Sequence, residues 1–150
     1  DGHDLTQSLA IIDYLDAKYP EPAMLSSNAA DRAKTLAQAL IIAADIHPID
    51  NLRVLRYLKD EMGQSQEAVD QWYRHWIVEG FTALEAMAPD NGLFGGELPN
   101  LADVCLVPQM ANARRVDTPL DAFPKLLRID AALTALPAFA AAHPDQVKPD

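Results

Sequence analysis

The sequence is poor in the residues that carry several kinds of chemistry. It has one cysteine, Cys105, in 150 residues. No disulfide can therefore close within it, and a lone thiol suits a reducing compartment. The four histidines, His3, His47, His75 and His143, lie far apart. With no CxxC or HExxH spacing, no metal site can be read. Basic residues are scarce: 12 Lys and Arg against 22 Asp and Glu give a formal charge of −10. That balance argues against nucleic acid as a partner, because phosphate binding needs basic patches, and it disfavours anionic membrane surfaces. No apolar run approaches ~20 residues, the length a membrane-crossing helix needs. No leader sequence is visible, and the opening Asp1 suggests a native start further upstream.

What is present is helical. Hydrophobic residues make up 49% of the chain, enough to bury one core, and one compact, intracellular domain is expected. Strand-like alternation never persists, so the expected class is all-α. Thr6 is the expected cap of a first helix over TQSLAIIDYLDAKY, which ends before Pro20. A second helix is expected from about Ala30 to Ile46 with Asn28 as its cap, and a kink or break at His47, where Pro48 disfavours helix. Helix should resume from Ile49 to Met62 and stop at Gly63. Ser65 opens a long helix that closes before Pro89, with Trp72, Trp76, Ile77 and Phe81 spaced as one buried stripe. A Gly-rich loop, PDNGLFGGELP, leads to Asn100-Leu101-Ala102-Asp103, a capping-box variant. Pro124 and Pro137 stand where two short final helices would begin.

Few of these residues point to chemistry by themselves. Asp103 reads as a structural cap and Cys105 as a small buried hydrophobe, since nothing nearby would lower its pKa. Gln7 and Ser8, at a helix start, could offer unpaired N–H groups and a hydroxyl to a carboxylate, although such residues are mostly ordinary caps. Helical spacing puts His47 on a face with Leu40 and Ala43, as a satisfied core histidine, and Asn51 one turn further on. Arg53 groups with Arg56 and Asp60 on a polar face, and Arg114-Arg115 would ordinarily face water. An arginine turned into a cleft would instead suit a carboxylate with its planar fork.

Three stretches, GHDLTQSLAIIDYL, DIHPIDNLRVLRYL and NLADVCLVPQMANARR, resemble the zeta class of glutathione S-transferases, the maleylacetoacetate isomerases and the related maleylpyruvate isomerases. The resemblance runs over nearly the whole chain. It implies that residues 1–19 carry the last helix of a thioredoxin-like domain, 20–28 a linker and 29–150 an all-helical C-terminal domain. It further implies that about sixty residues of the first domain precede Asp1, with the thiol-activating motif among them, so that this stretch alone holds no catalytic residue and is inactive. By the same resemblance, Gln7 and Ser8 hold the γ-glutamyl end of glutathione, and His47 and Asn51 lie near that cofactor. Arg53 and Arg115 contact the carboxylates of a dicarboxylate keto acid, and for Arg53 this overrides the surface reading. The implied reaction is glutathione-dependent cis–trans isomerisation in aromatic catabolism: thiolate addition to the cis bond, rotation and elimination, without a metal. A cytoplasmic homodimer is implied for the full-length protein. The competing readings are a maleylpyruvate isomerase, a general or dehalogenating zeta-class transferase, and a non-catalytic helical interaction module.

Overall fold

A computed structural model describes residues 2–147. Helices account for nearly all of its regular structure, and no strand occurs among the described residues. The elements are α1 (Ser8–Lys18), α2 (Ala29–Leu40), a π-helical stretch (Ile41–Ile46), α3 (His47–Ile49), α4 (Leu52–Arg56), a second π-helical stretch (Tyr57–Glu61), α5 (Gln66–Met87), α6 (Leu101–Arg115), α7 (Pro124–Thr134) and α8 (Pro137–Ala141). The all-α expectation holds.

Several starts are written locally. The Asn28 carboxamide oxygen accepts from the N–H groups of Ala30 and Asp31, and Ser65 Oγ accepts from Ala68. Each satisfies donors that a helix start leaves without an intrahelical partner. At α6 the capping box is complete: Asn100 Oδ1 accepts from Ala102 and Asp103, and the Asp103 carboxylate accepts from Asn100 N–H. Pro124 and Pro137 occupy first helical positions as expected. The Glu85 carboxylate on α5 reaches over to accept from the N–H groups of Lys125 and Leu126, at 2.9 and 3.0 Å. A negative charge thus sits at the positive end of α7.

The α1 start differs from expectation. Its cap is Gln7, not Thr6, because Gln7 takes φ +70° and ψ +119° and so turns the chain one residue later. Pro48 does not break the helix at His47. The ring of a proline clashes with the carbonyl four residues back, and the chain avoids this by widening beforehand. Residues Ile41–Ile46 adopt the five-residue register, and His47 N–H reaches back to Ile42 O. The break falls instead at Asp50, where φ −100° and ψ 6° end α3. Asn51 then caps α4, its Oδ1 accepting from Arg53 N–H at 3.2 Å. The single helix expected over 49–62 is therefore a short turn, a break and a second widened stretch.

The core lies among α5, α6, α7 and the first π-helical stretch, with Ile77, Phe81, Leu84, Leu106, Met110, Leu126, Ile129 and Leu133 fully buried. Burying each such side chain stabilises the fold by about 1.5–3 kcal/mol. The buried stripe of α5 is Val69, Tyr73, Ile77, Phe81 and Leu84. Trp72 and Trp76 are only half-buried beside it, which corrects the tryptophan-led stripe by part of a turn. Gly80 is required where α5 meets the π-helical stretch: a Cβ there would stand 2.4 Å from the Ile46 side chain. Helix α1 packs more lightly. None of its residues is buried, and Leu9 and Ile12 rest on a small cluster of Leu25, Ala39 and Leu101.

Candidate functional site

Four segments surround a half-open groove of about 1130 Å³: the start of α1, the run from Leu40 to Leu52, Tyr73 on α5, and α6 from Val104 to Asn112. The widened backbone before Pro48 and the break after it are what turn His47, Asp50 and Asn51 to this side.

At the mouth, Gln7 and Ser8 line the groove together with Leu9 and Ala10. No side chain caps α1. The first-turn N–H groups have no intrahelical acceptor, and the helix dipole adds positive potential there. The Gln7 backbone lies in a region that L-residues seldom adopt, a form of strain that concentrates at functional sites. An uncapped helix start with a hydroxyl and a carboxamide beside it fits a carboxylate-ended ligand.

Along the floor, His47 is exposed in the groove, so it is not a core histidine. The π-helical stretch shifts its phase away from that of Leu40 and Ala43, which spacing alone could not show. Asn51 also lines the groove and spends its oxygen on capping α4. Between them sits Asp50, 4% exposed, with neither carboxylate oxygen hydrogen-bonded. Burial pushes its carboxyl up to about 7, since removal from water disfavours the charged form. On α6, Gln109 lines the same groove, is equally buried, and its Nε2 lacks an acceptor. On the same helix, Pro108 has no N–H to give to Val104 O, and both residues face the groove.

The far wall carries a connected polar group. The Tyr73 hydroxyl stands 2.7 Å from Asn112 Nδ2 and 3.0 Å from its Oδ1. Arg115 Nη2 donates to Tyr73 Oη at 3.2 Å and to Asn112 Oδ1 at 2.7 Å, and its guanidinium lies 5.7 Å from the Tyr73 ring centre. Arg115 is thus held at the rim by two residues that line the groove, with part of its fork still open to solvent. Arg114 pairs instead with Asp130. Arg53 is exposed on the second residue of α4 and does not contribute to the lining. The structure therefore gathers Gln7, Ser8, His47, Asn51 and the anchors of Arg115 around one groove, and leaves Arg53 outside it. Cys105 lines the same groove, but burial pushes its thiol up to about 11, which keeps it protonated.

Three polar residues of the groove, Asp50, Gln109 and Tyr73, are not evident from spacing. Gln109 sits among apolar neighbours in sequence, Val107-Pro108 and Met110-Ala111, a signal that could have marked it, whereas Asp50 is followed by Asn51 and has no such signal.

No protein-family model matches the chain. A probable maleylacetoacetate isomerase of Vibrio cholerae is 49% identical over 149 residues, spanning 97% of this chain and 68% of the relative. The fold superposes with a TM-score of 0.92 on the holo structure of a maleylpyruvate isomerase, a bacterial zeta-class glutathione S-transferase, at 42% identity over 97% of this chain and 70% of that one. This chain belongs to the zeta class of glutathione S-transferases. A second neighbour, the maleylacetoacetate isomerase of Anaeromyxobacter dehalogenans, superposes with a TM-score of 0.92 at 40% identity, over 100% of this chain and 68% of that one. It holds dicarboxyethyl glutathione and citrate in its active site.

Proposed function

We propose that this zeta-class chain forms the substrate wall and one edge of the glutathione site in a glutathione-dependent cis–trans isomerase of maleyl keto acids, converting maleylacetoacetate to fumarylacetoacetate. The observation that carries the reading is one groove joining an uncapped helix start at Gln7 and Ser8 to the Tyr73–Asn112–Arg115 group. Two anion-seeking features on one groove suit a tripeptide with a carboxylate end beside a dianionic substrate. The identity to named isomerases supports the chemistry.

In this reading Gln7 and Ser8, with the first N–H groups of α1, take the γ-glutamyl carboxylate, and His47 and the free amide N–H groups of Asn51 border the peptide. Arg115, braced by Tyr73 and Asn112, orients one substrate carboxylate, and Arg53, exposed on the adjoining α4 outside the groove, is the candidate for the other. Glutathione, when bound, supplies a thiolate that adds reversibly to the maleyl double bond, which can then rotate. The chain's own share is to hold the two reactants in register and to stabilise the negative charge that develops on the keto acid. Maleylpyruvate is the second substrate, favoured by a relative of that name at 42% identity. The assembled protein is a cytoplasmic homodimer. Isomerisation of maleylacetoacetate by the full-length protein, with and without glutathione, tests the reading. Rate enhancement dependent on both is expected, and a rate equal to that of glutathione alone would overturn it.

A further inference from the structure

Asp50 and Gln109 present an unusual pairing. Both are only 4% exposed, both line the groove from different elements, and both carry polar atoms with no protein partner. Buried polar groups are nearly always hydrogen-bonded, so two orphans on one cavity mark a place where a ligand completes the network. Resting on the isomerase reading of this groove, we propose that Asp50, in its acid form, and Gln109 together donate hydrogen bonds to a carboxylate or keto oxygen of the dicarboxylate substrate.

The chemistry of the lining selects this over other ligands. Asp50 is the one carboxylate there, and the lining holds no lysine or arginine that would neutralise it as an anion. The other titratable groups that line the groove are His47 from the preceding turn, Tyr73 from α5 and Cys105 from α6, while the polar residues from the α1 start are Gln7 and Ser8. The Arg115 guanidinium stands behind the Tyr73 hydroxyl. An ammonium-bearing ligand would satisfy an ionised Asp50 but would oppose the Gln109 Nε2 donor. An acceptor oxygen satisfies both. A dianionic ligand also repels a carboxylate, so its arrival favours the acid form further, and binding draws a proton from solvent whenever Asp50 was ionised beforehand. This is the arrangement in which a carboxylic acid kept neutral serves as a donor. It makes dicarboxylate recognition proton-coupled.

The test is calorimetry on the full-length, glutathione-loaded protein with malonate as the probe, at pH 7.5 in buffers of different ionisation enthalpy. About 0.5–1 proton should be taken up per malonate, and affinity should fall by nearly tenfold per pH unit above about pH 7. Asp50→Asn keeps a donor and the volume; it should bind malonate without proton uptake and with affinity flat in pH to within about twofold. Gln109→Leu should weaken binding about five- to tenfold and keep the uptake, since it removes one neutral hydrogen bond. Proton release, no proton exchange, or undiminished uptake by Asp50→Asn would overturn the proposal. Failure to bind malonate by a protein that still isomerises maleylacetoacetate overturns this inference alone, whereas absence of isomerisation removes the functional reading on which it stands.

Discussion

Asp103 and Asp50 are both buried carboxylates, and they differ in almost everything else. Asp103, at the start of α6, accepts from three backbone N–H groups: Phe94 at 3.0 Å, Gly95 at 2.9 Å and Asn100 at 3.0 Å. Burial pushes its carboxyl up, while those three bonds hold it down. It ties the 89–99 loop to a helix start and leaves nothing to offer a ligand. Asp50 has comparable burial and no partner at all. A fold tolerates the first because hydrogen bonds offset the cost of burying charge, and the second only where something else benefits. Partnering, not burial, separates the structural carboxylate from the candidate functional one.

The largest effect should come from removing the satisfied group. Asp103→Ala orphans three N–H groups and loosens the loop, and should cost about 3–5 kcal/mol in urea unfolding of the full-length protein. Asp50 should behave in the opposite sense. Its carboxyl rises from 3.8 to about 7 on folding, so the unfolded chain releases the proton first. Its contribution is harmless below about pH 4, erodes stability as pH rises from 4 to 7, and costs at most about 4 kcal/mol above that. Asp50→Asn should therefore stabilise the protein by about 2–4 kcal/mol at pH 8 and flatten the loss between pH 4 and 7, measured as melting temperature against pH. A destabilised Asp50→Asn protein would erase the contrast.

Arg115 stands between these extremes, partnered yet open to solvent. Arg115→Met should lower kcat/KM for maleylacetoacetate by about 10- to 100-fold through loss of a charge-assisted contact, with little change in melting temperature. Cys105 supplies the smallest effect. Its thiol is held protonated, so Cys105→Ala should keep kcat/KM within about twofold.

Sequence carried the helix starts well because their chemistry is local. Asn28, Ser65 and the Asn100–Asp103 box all act within three residues, and each is where spacing put it. Phase along the helices was less legible. A π-helical stretch adds a residue per turn without a characteristic composition, so the face of His47 could not be computed from a uniform 100° step, whereas the same step did place Arg53, Arg56 and Asp60 on the exposed side. The Trp72–Trp76 stripe failed for a different reason. Large aromatic size suggests a place in the buried stripe, yet Tyr73 took it, with its hydroxyl served by Asn112 and Arg115 from a helix about forty residues away. Asp50 was the least legible residue, because a missing partner is a property of three-dimensional surroundings and leaves no mark on the chain.

The titration of the Asp50 side-chain carboxyl carbon, followed by NMR in the full-length protein with and without malonate, addresses the difference between the two carboxylates most directly. A midpoint near 7 in the free protein that moves higher with malonate is the predicted result. A midpoint near 4 that malonate leaves in place would contradict it.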